Sequence, residues 1–453
     1  MASSKKLPDA LVTQVAQVLS QRVHPGQHLT LGLSGGLDSV VLLDLLVQLQ
    51  HPLQFRLSAI HVNHQLSPHA GDWAAFCCKL CTSCEIPLDV VAVQVPFQPG
   101  DSLEAVARIA RHEALARSTA DFIVLAHHLD DQAETLLLQL LRGCGVDGAS
   151  AMAEQNGRQL RPLLNASRIQ LEQYARHRGL SWVEDESNMD TRFDRNFLRH
   201  RVLPVLSERF PAYRETFLRA SRNFSESALL LKELANHDAS TAIHEKKLSV
   251  QTLAHLSTPR AKNLLRQFLK LHGISAPSAT RLEDMLHQLL SAKPDAQIKI
   301  PLESFELRRF LGRAWLIPAP GRPDSTRLNY LWRGENELVL NELGGTLKFW
   351  PVHGQGISRT RLEQAPVTLR LRRGGERLQP DCKRPRRSLK NLFQEAGIPP
   401  WTRETLPLLF SGESLAAGLG IGIDCNFQAH PDEPGIMLEW KANVTLDQSS
   451  VSR

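Results

Sequence analysis

The sequence lacks the marks of several large classes of protein. Residues 1–8 include Lys5 and Lys6 but no apolar segment of a secretory signal, and the longest apolar run near the front is broken by Asp44. Neither secretion nor membrane insertion is therefore encoded, because both need a longer uncharged stretch. No Gly-x-x-x-x-Gly-Lys-Ser/Thr sequence occurs, which excludes an ordinary kinase or motor P-loop. We expect a cytoplasmic protein without a membrane partner.

Cysteine is scarce, with seven residues in a chain of 453. An odd number in a large chain without a signal peptide indicates reduced thiols and not a disulfide framework. Cys77, Cys78, Cys81 and Cys84 have a spacing that an iron–sulfur or zinc site could use. Residues 73–84 also have the pattern of an amphipathic helix, and no zinc-ribbon partners follow. We expect these thiols to fill a core.

The remaining composition is that of an ordinary folded protein. Apolar residues make up 42% and charged residues 22%, and the net charge is +6. At roughly 150 residues per domain the chain should hold about three domains.

Short apolar runs alternate with helical stretches in the first part of the chain. Four such strand–helix repeats occur between residues 27 and 142, and residues 123–126 have the continuous apolar character of a strand buried on both faces. This pattern predicts an α/β fold with a parallel sheet, whose ligands bind at the carboxyl ends of the strands. We assign residues 1–218 to this catalytic domain.

Two further domains follow. Leucine periodicity between residues 220 and 290 predicts a small helical domain, finished by a short sheet from residue 298 to 317. Residues 318–323 are rich in proline and read as a linker. We assign residues 219–322 to this middle domain and 323–453 to an α+β domain whose helix 389–396 begins after Ser388 and ends before Gly397.

A phosphate-binding loop follows the first predicted strand. Its sequence is Ser34-Gly35-Gly36-Leu37-Asp38-Ser39. The two glycines leave backbone N–H groups open, and the helix that follows adds its positive end. An ordinary strand-to-helix turn also favours glycine and a capping Ser or Asp. The position at the carboxyl edge of a parallel sheet favours the phosphate site.

This loop resembles the SGGxDS signature of the PP-loop ATP pyrophosphatase superfamily. Further segments occur in a fixed order: EAVARIAR (104–111), HHLDDQAET (127–135), LRGCG (141–145), RPLL (161–164), WVEDESN (182–188), RNFLR (195–199), GIPPW (397–401) and TLPLL (405–409). Together they resemble the family of bacterial tRNA(Ile)-lysidine synthetases over nearly the whole chain.

The resemblance implies a two-step ligation. The C2 oxygen of the wobble cytidine, in an isoleucine tRNA with a CAU anticodon, attacks the α-phosphorus of ATP and pyrophosphate leaves. The ε-amine of free L-lysine then displaces AMP to give lysidine, which pairs with A instead of G. ATP and Mg²⁺ are the implied substrate and cofactor, and a homodimer is the assembly we consider.

Residue roles follow from the same resemblance. The ATP site comprises Ser34, Gly35, Gly36, Leu37, Asp38, Ser39, His61, Val62 and Asn63, the last three presenting backbone groups to adenine. Asp38 is the expected Mg²⁺ ligand, because Mg²⁺ prefers one or two carboxylates plus phosphate oxygens. A helix-start carboxylate is the other interpretation of Asp38.

Asp131 and Glu134 lie one helical turn apart, just beyond the fourth strand. Their spacing alone fits a capping box. The resemblance makes them, with His127, the binding site for lysine, and both carboxylates are assigned to catalysis.

Arg111 is the expected partner of the α-phosphate, since a guanidinium can grip phosphate with two parallel hydrogen bonds. A helix arginine paired with a nearby acid is the alternative. His112 stands where the family usually has tyrosine.

Most of the excess positive charge falls in one segment. Residues 366–404 contain ten Lys or Arg and four acidic residues, which gives the segment the net +6 of the whole chain. Such a run can be a solvated face, or it can contact the phosphates of a shaped RNA helix, with Trp401 nearby. The expected tRNA-binding residues are Arg192, Arg195, Arg199, Arg372, Arg373, Lys383, Arg384, Arg386, Arg387 and Lys390.

Two other functions compete with lysine ligation. One is a tRNA thiolase, for which Cys144 is the one well-placed cysteine. The other is a non-catalytic RNA-binding protein, against which the intact Ser34, Asp38, Ser39, Asp131 and Glu134 argue.

Overall fold

The computed structural model describes residues 6–65, 67–93, 103–293, 296, 298–319 and 329–442. It divides into two compact units, Met1–Leu234 and Ala235–Arg453. No helix among the described residues is both long and apolar enough to cross a membrane.

The first unit is built around a six-stranded sheet. Its strand order is β3-β2-β1-β4-β6-β5, parallel throughout except for the β5–β6 hairpin. This confirms the predicted α/β class and all four strand–helix repeats. The elements are α1 (Lys6–Arg22), β1 (His28–Gly32), α2 (Leu37–Leu53), β2 (Arg56–Asn63), α3 (Ala70–Ser83), β3 (Leu88–Ala92), α4 (Leu103–Ala116), β4 (Phe122–Val124), α5 (Leu129–Leu141), α6 (Val146–Ala149), β5 (Gln155–Asn156), β6 (Gln159–Leu160), α7 (Arg168–Arg178), α8 (Asp194–Phe197) and α9 (Leu203–Arg209).

The core of this unit lies on the central strands and on α2. Leu29 and Leu31 of β1 are fully buried, because a central parallel strand is covered on both faces. Cys77 and Cys81 belong to the same core cluster and Cys84 packs against it, as expected, whereas Cys78 is exposed and does not fill the core. Among the described residues, no group of three or more His, Cys, Asp or Glu could hold a metal ion.

The second unit begins with helices and a small antiparallel sheet. A long helix, α10 (Tyr213–Ala242), leads into it and passes through the expected domain boundary at residue 218. The assignment of three domains stays a prediction. The sheet order is β7-β8-β11-β10-β9. The elements are β7 (Ile243–His244), β8 (Lys247–Ser249), α11 (Val250–His255), α12 (Thr258–Leu271), α13 (Ala279–Ser291), β9 (Lys299–Leu302), β10 (Phe305–Phe310) and β11 (Arg313–Pro318). Residues 320–323 of the expected linker lie outside the described residues.

Two antiparallel sheets form the rest of the second unit. Their orders are β12-β16-β19-β20-β21 and β13-β14-β22-β15, beside a short β17–β18 ladder. The predicted helix is present as α15, capped by the Ser388 hydroxyl. The elements are β12 (Asn329–Trp332), β13 (Glu337–Leu340), β14 (Gly345–His353), β15 (Ile357–Ser358), α14 (Arg359–Leu362), β16 (Val367–Arg370), β17 (Arg377–Leu378), β18 (Arg387–Ser388), α15 (Leu389–Glu395), α16 (Pro400–Arg403), β19 (Leu408–Ser411), β20 (Ser414–Gly418), β21 (Gly422–Ile423) and β22 (Pro434–Ala442).

One expectation about cysteine is wrong. Cys382 and Cys425 form a disulfide, with Cα atoms 5.5 Å apart and a sequence separation of 43. Backbone bonding brings the two segments together, because Cys425 N donates to the carbonyl of Gln379 at 2.9 Å. A pairing made by tertiary contacts over this separation leaves no signal in local sequence.

Candidate active site

The predicted phosphate loop lies between β1 and α2, at the carboxyl end of the central strand. Gly35 has a φ of +88°, and a Cβ atom there would lie 3.0 Å from Val183 and 3.1 Å from Cys77. The loop is held by its own hydroxyls, since Gly35 N donates to Ser39 Oγ at 3.2 Å and Gly36 N to Ser34 Oγ at 3.3 Å. These N–H groups precede the first turn of α2, where a helix attracts anions.

Asp38 occupies the first turn of α2 and is partly buried. Its Oδ2 lies 3.6 Å from His128 Nε2 and 3.5 Å from Arg168 Nη1. Its Oδ1 is buried without a hydrogen-bond partner among the described residues. A carboxylate oxygen left in this way beside a phosphate loop fits a ligand of Mg²⁺, which usually takes few carboxylates and completes its shell with phosphate and water.

The end of β2 is fixed to β1 through His61. This imidazole is buried, and its Nδ1 lies 2.9 Å from the carbonyl oxygen of Leu33. Asn63 is engaged as well, with its Oδ1 accepting from Gln65 N at 2.8 Å. Both side chains therefore support the strand end, and the adenine-binding role of His61, Val62 and Asn63 stays a prediction.

Two adjacent histidines, His127 and His128, lie between β4 and α5, and their pKa values shift in opposite directions. Burial lowers the pKa of His127 to about 4, against the opposing pull of Asp131. Burial also disfavours the charged form of His128, but the carboxylates of Asp131 and Asp38 outweigh it and raise the pKa of His128. The site thus joins a neutral imidazole to one that is stabilised as a cation.

Asp131 and Glu134 both lie inside α5, which begins at Leu129. His128 N donates to Asp131 Oδ2 at 2.9 Å, so the side chain of Asp131, the third residue of α5, caps the start of the helix. Glu134 lies one turn further along the helix. The capping explanation therefore accounts for one oxygen of Asp131 and for neither oxygen of Glu134. Burial opposes ionisation of Asp131, yet His128 and Arg195 outweigh burial and lower its pKa to about 2.

The structure pairs these carboxylates with two of the expected tRNA-binding arginines. Arg195 reaches Glu134 Oε2 through Nε at 2.6 Å and Asp131 Oδ1 through Nη2 at 2.7 Å. Arg199 reaches Glu134 Oε1 through Nε at 2.6 Å and Oε2 through Nη2 at 2.9 Å. The two arginines thus form one ion-pair cluster with the two carboxylates, although at least 61 positions separate each arginine from each carboxylate in the sequence.

Arg111 lies on α4 and is exposed. Its Nε is 3.4 Å from Nε2 of His64, just beyond the end of β2. His112, on the neighbouring position, lies 3.3 Å from Gln159 through Nδ1, and Gln159 also accepts from the buried Arg161 at 2.6 Å. His112 is therefore tied to β6.

Several charged residues of this site had no predicted role. Asp130 pairs with Arg214 and accepts from the backbone N of Arg168 at 2.9 Å, while Arg168 also faces Asp38. The segment HHLDDQAET contained Asp130, but sequence alone could not separate it from Asp131. Their different arginine partners, Arg214 for Asp130 and Arg195 for Asp131, become visible only in the folded structure.

Acidic neighbours reduce the free charge of the C-terminal basic segment. Salt bridges join Arg384 to Asp381 at 3.3 Å, Arg386 to Asp424 at 2.9 Å and Arg387 to Glu395 at 2.6 Å. A longer contact of 3.9 Å joins Arg372 to Glu376.

The other residues expected to contact tRNA are exposed to solvent. Arg373, Lys383 and Lys390 are exposed, and their side chains have no ion-pair partner within the described ranges. Trp401 packs edge-on against Trp315, with ring centroids 5.7 Å apart, and so contributes to a core contact in the second unit. In the first unit, Arg192 is 88% exposed and pairs with Asp190 at 2.6 Å.

Comparisons with known proteins cover most of the chain. A PP-loop domain family matches residues 8–206, a TilS substrate binding domain matches 248–315, and a TilS substrate C-terminal domain matches 367–440. The tRNA(Ile)-lysidine synthase of Nitrosomonas europaea is 46% identical, with 97% of this chain and 98% of the relative covered. That of Azoarcus sp. is 41% identical, with 94% of each covered.

Among solved structures, the U34-tRNA thiolase NcsA from Methanococcus maripaludis with its [4Fe-4S] cluster matches with a TM-score of 0.44 and 17% identity. The match covers 49% of this chain and 80% of that chain.

Proposed function

The chain belongs to the tRNA(Ile)-lysidine synthase family, and on that premise we propose how its residues divide the reaction between them. The enzyme is an ATP-using ligase that attaches lysine to tRNA(Ile). In our proposal the acceptor is C2 of the wobble cytidine in the CAU anticodon, and the reaction passes through an adenylylated tRNA in the cytoplasm.

The observation that carries this proposal is the position of the acidic pair relative to the phosphate loop. His128 Nε2 lies 3.6 Å from Asp38 on one side and 3.5 Å from Asp131 on the other. A site for ATP and an anionic site for an amine are therefore joined through one buried imidazole. A ligase that first activates an acceptor with ATP and then brings in an amine needs these two sites side by side.

In the first step, Gly35 and Gly36 bind the β- and γ-phosphates through backbone N–H groups, together with Ser34 and Ser39. Charge grows on pyrophosphate as the α–β bond breaks, and preorganised donors stabilise it. The ends of β1 and β2 hold adenine, and Arg111 neutralises the α-phosphate. Asp38 would hold Mg²⁺, which would offset the charge of the phosphates.

In the second step, Asp131 and Glu134 bind the ammonium groups of lysine. His127 is neutral near pH 7, since burial lowers its pKa to about 4, and its Nδ1 has no hydrogen-bond partner among the described residues. A neutral imidazole can accept a hydrogen bond from an amine without repelling it. We assign His127 to holding lysine in the orientation that points its ε-amine at the activated carbon.

The basic residues hold tRNA in two places. Arg195 and Arg199 contact the catalytic pair and Arg192 is exposed nearby in the sequence, while the C-terminal segment supplies Arg372, Arg373, Lys383, Arg384, Arg386, Arg387 and Lys390. Contacts of this kind go to phosphate and sugar and set the position of the RNA.

The position of Cys144 does not favour the thiolase. Cys144 lies beyond the carboxyl end of α5, and this helix of 13 residues is about 20 Å long at 1.5 Å per residue. The thiol is thus at the far end of the helix from Asp131. Supplying ATP, labelled lysine and CAU-anticodon tRNA(Ile) to the purified protein tests the proposal: incorporation of lysine supports it, and transfer of sulfur without lysine refutes it.

A further inference from the structure

The Cys382–Cys425 disulfide holds a loop of the second unit to a neighbouring turn. The loop joins β17 to β18, and we call residues 377–388, the two strands with this loop, the basic hairpin. Cys382 lies in the middle of the loop, and Cys425 begins the short turn Cys425–Phe427. The other five cysteines of the chain are free. One covalent bond therefore fixes the middle of the hairpin loop to a distant part of the chain.

The loop carries charge that the proposed function assigns to tRNA binding. Lys383 and Arg384 follow Cys382 directly. Lys383 is exposed and has no ion-pair partner within the described ranges, while Arg384 pairs with Asp381 inside the loop at 3.3 Å. The positions of both cations therefore depend on the conformation of the loop, and so on what holds Cys382.

Hydrogen bonds anchor both ends of the loop independently of the disulfide. At its start, Gln428 Nε2 donates to the carbonyl oxygen of Pro380 at 2.7 Å. At its end, Arg386 Nη2 donates to the buried Asp424 Oδ1 at 2.9 Å. These contacts stay in place when the sulfur atoms are separated, so we expect the fold of the unit to survive reduction.

The middle of the loop is bonded largely to itself. Lys383 N donates to Asp381 Oδ1 at 2.9 Å, and Arg384 N donates to the carbonyl oxygen of Asp381 at 3.0 Å. The disulfide is the covalent link between this part of the loop and the rest of the unit. Reduction should therefore free the middle of the loop while its two ends stay anchored.

Small thiols can reach this disulfide. Cys382 is exposed and Cys425 is half-buried. Thiol–disulfide exchange needs access to a sulfur atom, and exposed disulfides are the ones that serve regulation. In the cytoplasm proposed for this enzyme, disulfides are usually transient and redox-sensing. The position of the bond thus fits a reversible link better than a permanent one.

We propose that Cys382 and Cys425 are a reversible redox switch that sets the affinity of the enzyme for tRNA. In the disulfide form the cations of the basic hairpin are held ready for RNA phosphates. In the dithiol form the loop must become ordered when RNA binds, and this entropic cost weakens binding. The inference rests on the tRNA contact proposed above for the C-terminal basic segment.

Glutathione disulfide is the class of oxidant that would close the switch. The thiolate of Cys382 attacks one sulfur of glutathione disulfide and releases one glutathione thiolate. The thiolate of Cys425 then attacks the Cys382 sulfur of the mixed disulfide and releases the second. Two protein thiols and one glutathione disulfide thus give one protein disulfide and two glutathione thiols, which carry the two electrons and the two protons. Reduced glutathione reverses both steps.

The tRNA affinity of the full-length enzyme in its two forms tests the proposal. The enzyme is equilibrated with oxidised or with reduced glutathione, and mass spectrometry reports the state of the cysteine pair. Binding of CAU-anticodon tRNA(Ile) is measured by fluorescence anisotropy at one fixed salt concentration, because such affinities depend on salt. The oxidised form should bind about fivefold tighter, roughly the cost of ordering one backbone residue. Equal affinities, or a pair that excess reduced glutathione does not open, would overturn the proposal.

Serine variants identify the cysteines as the cause. Cys382→Ser should bind tRNA like reduced wild type under both conditions, and Cys425→Ser should do the same if the first variant is poorly folded. Cys78→Ser is the matched control, since Cys78 is an exposed free thiol on α3 and its loss should leave the full redox response. A redox response that persists in Cys382→Ser, or disappears in Cys78→Ser, would contradict the assignment.

Hydrogen exchange distinguishes a freed loop from a loosened fold. Amides of residues 381–386 should exchange faster after reduction, while those of the buried strand β19 should keep their rates. Faster exchange in β19 would make the disulfide a support of the whole unit and would refute the switch.

The outcomes also separate this inference from the function beneath it. Lys383→Gln and Lys390→Gln should each weaken tRNA binding by the oxidised enzyme, because each removes one contact to phosphate. If they do so while the redox state has no effect, the inference alone fails. If neither variant changes the affinity, the proposed tRNA contact of the basic segment fails as well.

Discussion

The imidazole of His128 lies 3.6 Å from Asp38 and so links the phosphate loop after β1 to the acidic helix α5. The two groups come from neighbouring strands of a parallel sheet, whose carboxyl ends meet at one edge. Because His128 also faces Asp131, its cationic form stabilises carboxylates on both sides. The proposed ATP and lysine sites therefore share one buried charge.

Asp131→Asn should separate the two half-reactions. The amide oxygen can still accept the hydrogen bond from His128 N, so the start of α5 is kept, but the negative charge is lost. We expect lysine transfer to fall about 10- to 100-fold, the cost of losing a charge-assisted hydrogen bond. Transfer is measured with labelled lysine, and adenylylation of tRNA is measured separately with ATP alone.

Asp147→Asn is the control for this change, because Asp147 is exposed on α6. It should leave both steps at the wild-type rate. Lysine transfer by Asp131→Asn at the wild-type rate would return Asp131 to a purely capping role.

Gly35→Ala should stop adenylylation. The backbone has a φ of +88°, and the added Cβ would lie 3.0 Å from Val183. The loop must shift, which moves the N–H groups that hold pyrophosphate. We expect the rate of adenylylation to fall by about 100-fold or more, the cost of losing one preorganised donor.

Gly157→Ala is the matched control, since Gly157 also has a positive φ, +56°, but open space around it. Both variants lose roughly 1 kcal/mol of stability in urea unfolding from backbone strain. A Gly157→Ala enzyme with the same catalytic loss would show that strain, and not the loop position, is responsible.

His127 should stay neutral across the physiological pH range. Burial lowers its pKa to about 4 in the folded protein, whereas the unfolded chain takes up this proton near pH 6.5. The unfolded state binds more protons between these values, so the free energy of unfolding falls as the pH drops from about 6.5 to about 4. His127→Gln should make that fall less steep.

NMR of histidine-labelled protein measures the titration of His127 directly, with its signal identified by its absence in His127→Gln. The midpoint should lie near pH 4. A midpoint near pH 6.5 would contradict the buried neutral imidazole.

The thiols of α3 should differ sharply in reactivity. Burial is the main cause that raises the pKa of Cys77 to about 12 and of Cys81 to about 11, while Cys78 is exposed. Because the thiolate is the nucleophile, iodoacetamide at pH 8 should modify Cys78 and leave Cys77 and Cys81 intact, as read by peptide mass spectrometry. Rapid modification of Cys77, or iron bound at the cluster in stoichiometric amount, would contradict a core role.

Local pattern predicted the parts of the fold that local interactions determine. The strand predicted before the phosphate loop is β1, and the helix predicted at residues 389–396 is α15, because apolar periodicity and a serine cap act over a few residues. The loop itself was predictable because its glycines and hydroxyls are consecutive.

Partnerships between distant residues were not predictable. Arg195 and Arg199 read as free cations in sequence, yet they lie against Asp131 and Glu134 more than 60 residues away. The Cys382–Cys425 disulfide was missed for the same reason. In both cases the partner is chosen by the packing of whole elements, which the charge pattern of one segment does not contain.

The central claim is that this enzyme joins lysine to the wobble cytidine of tRNA(Ile). Mass spectrometry of nucleosides from CAU-anticodon tRNA(Ile), incubated with the enzyme, ATP and lysine, tests it most directly. The account predicts one cytidine per tRNA that gains a lysine with loss of one water, at the first anticodon position. An unchanged cytidine at that position, or a sulfur-containing nucleoside in its place, would contradict it.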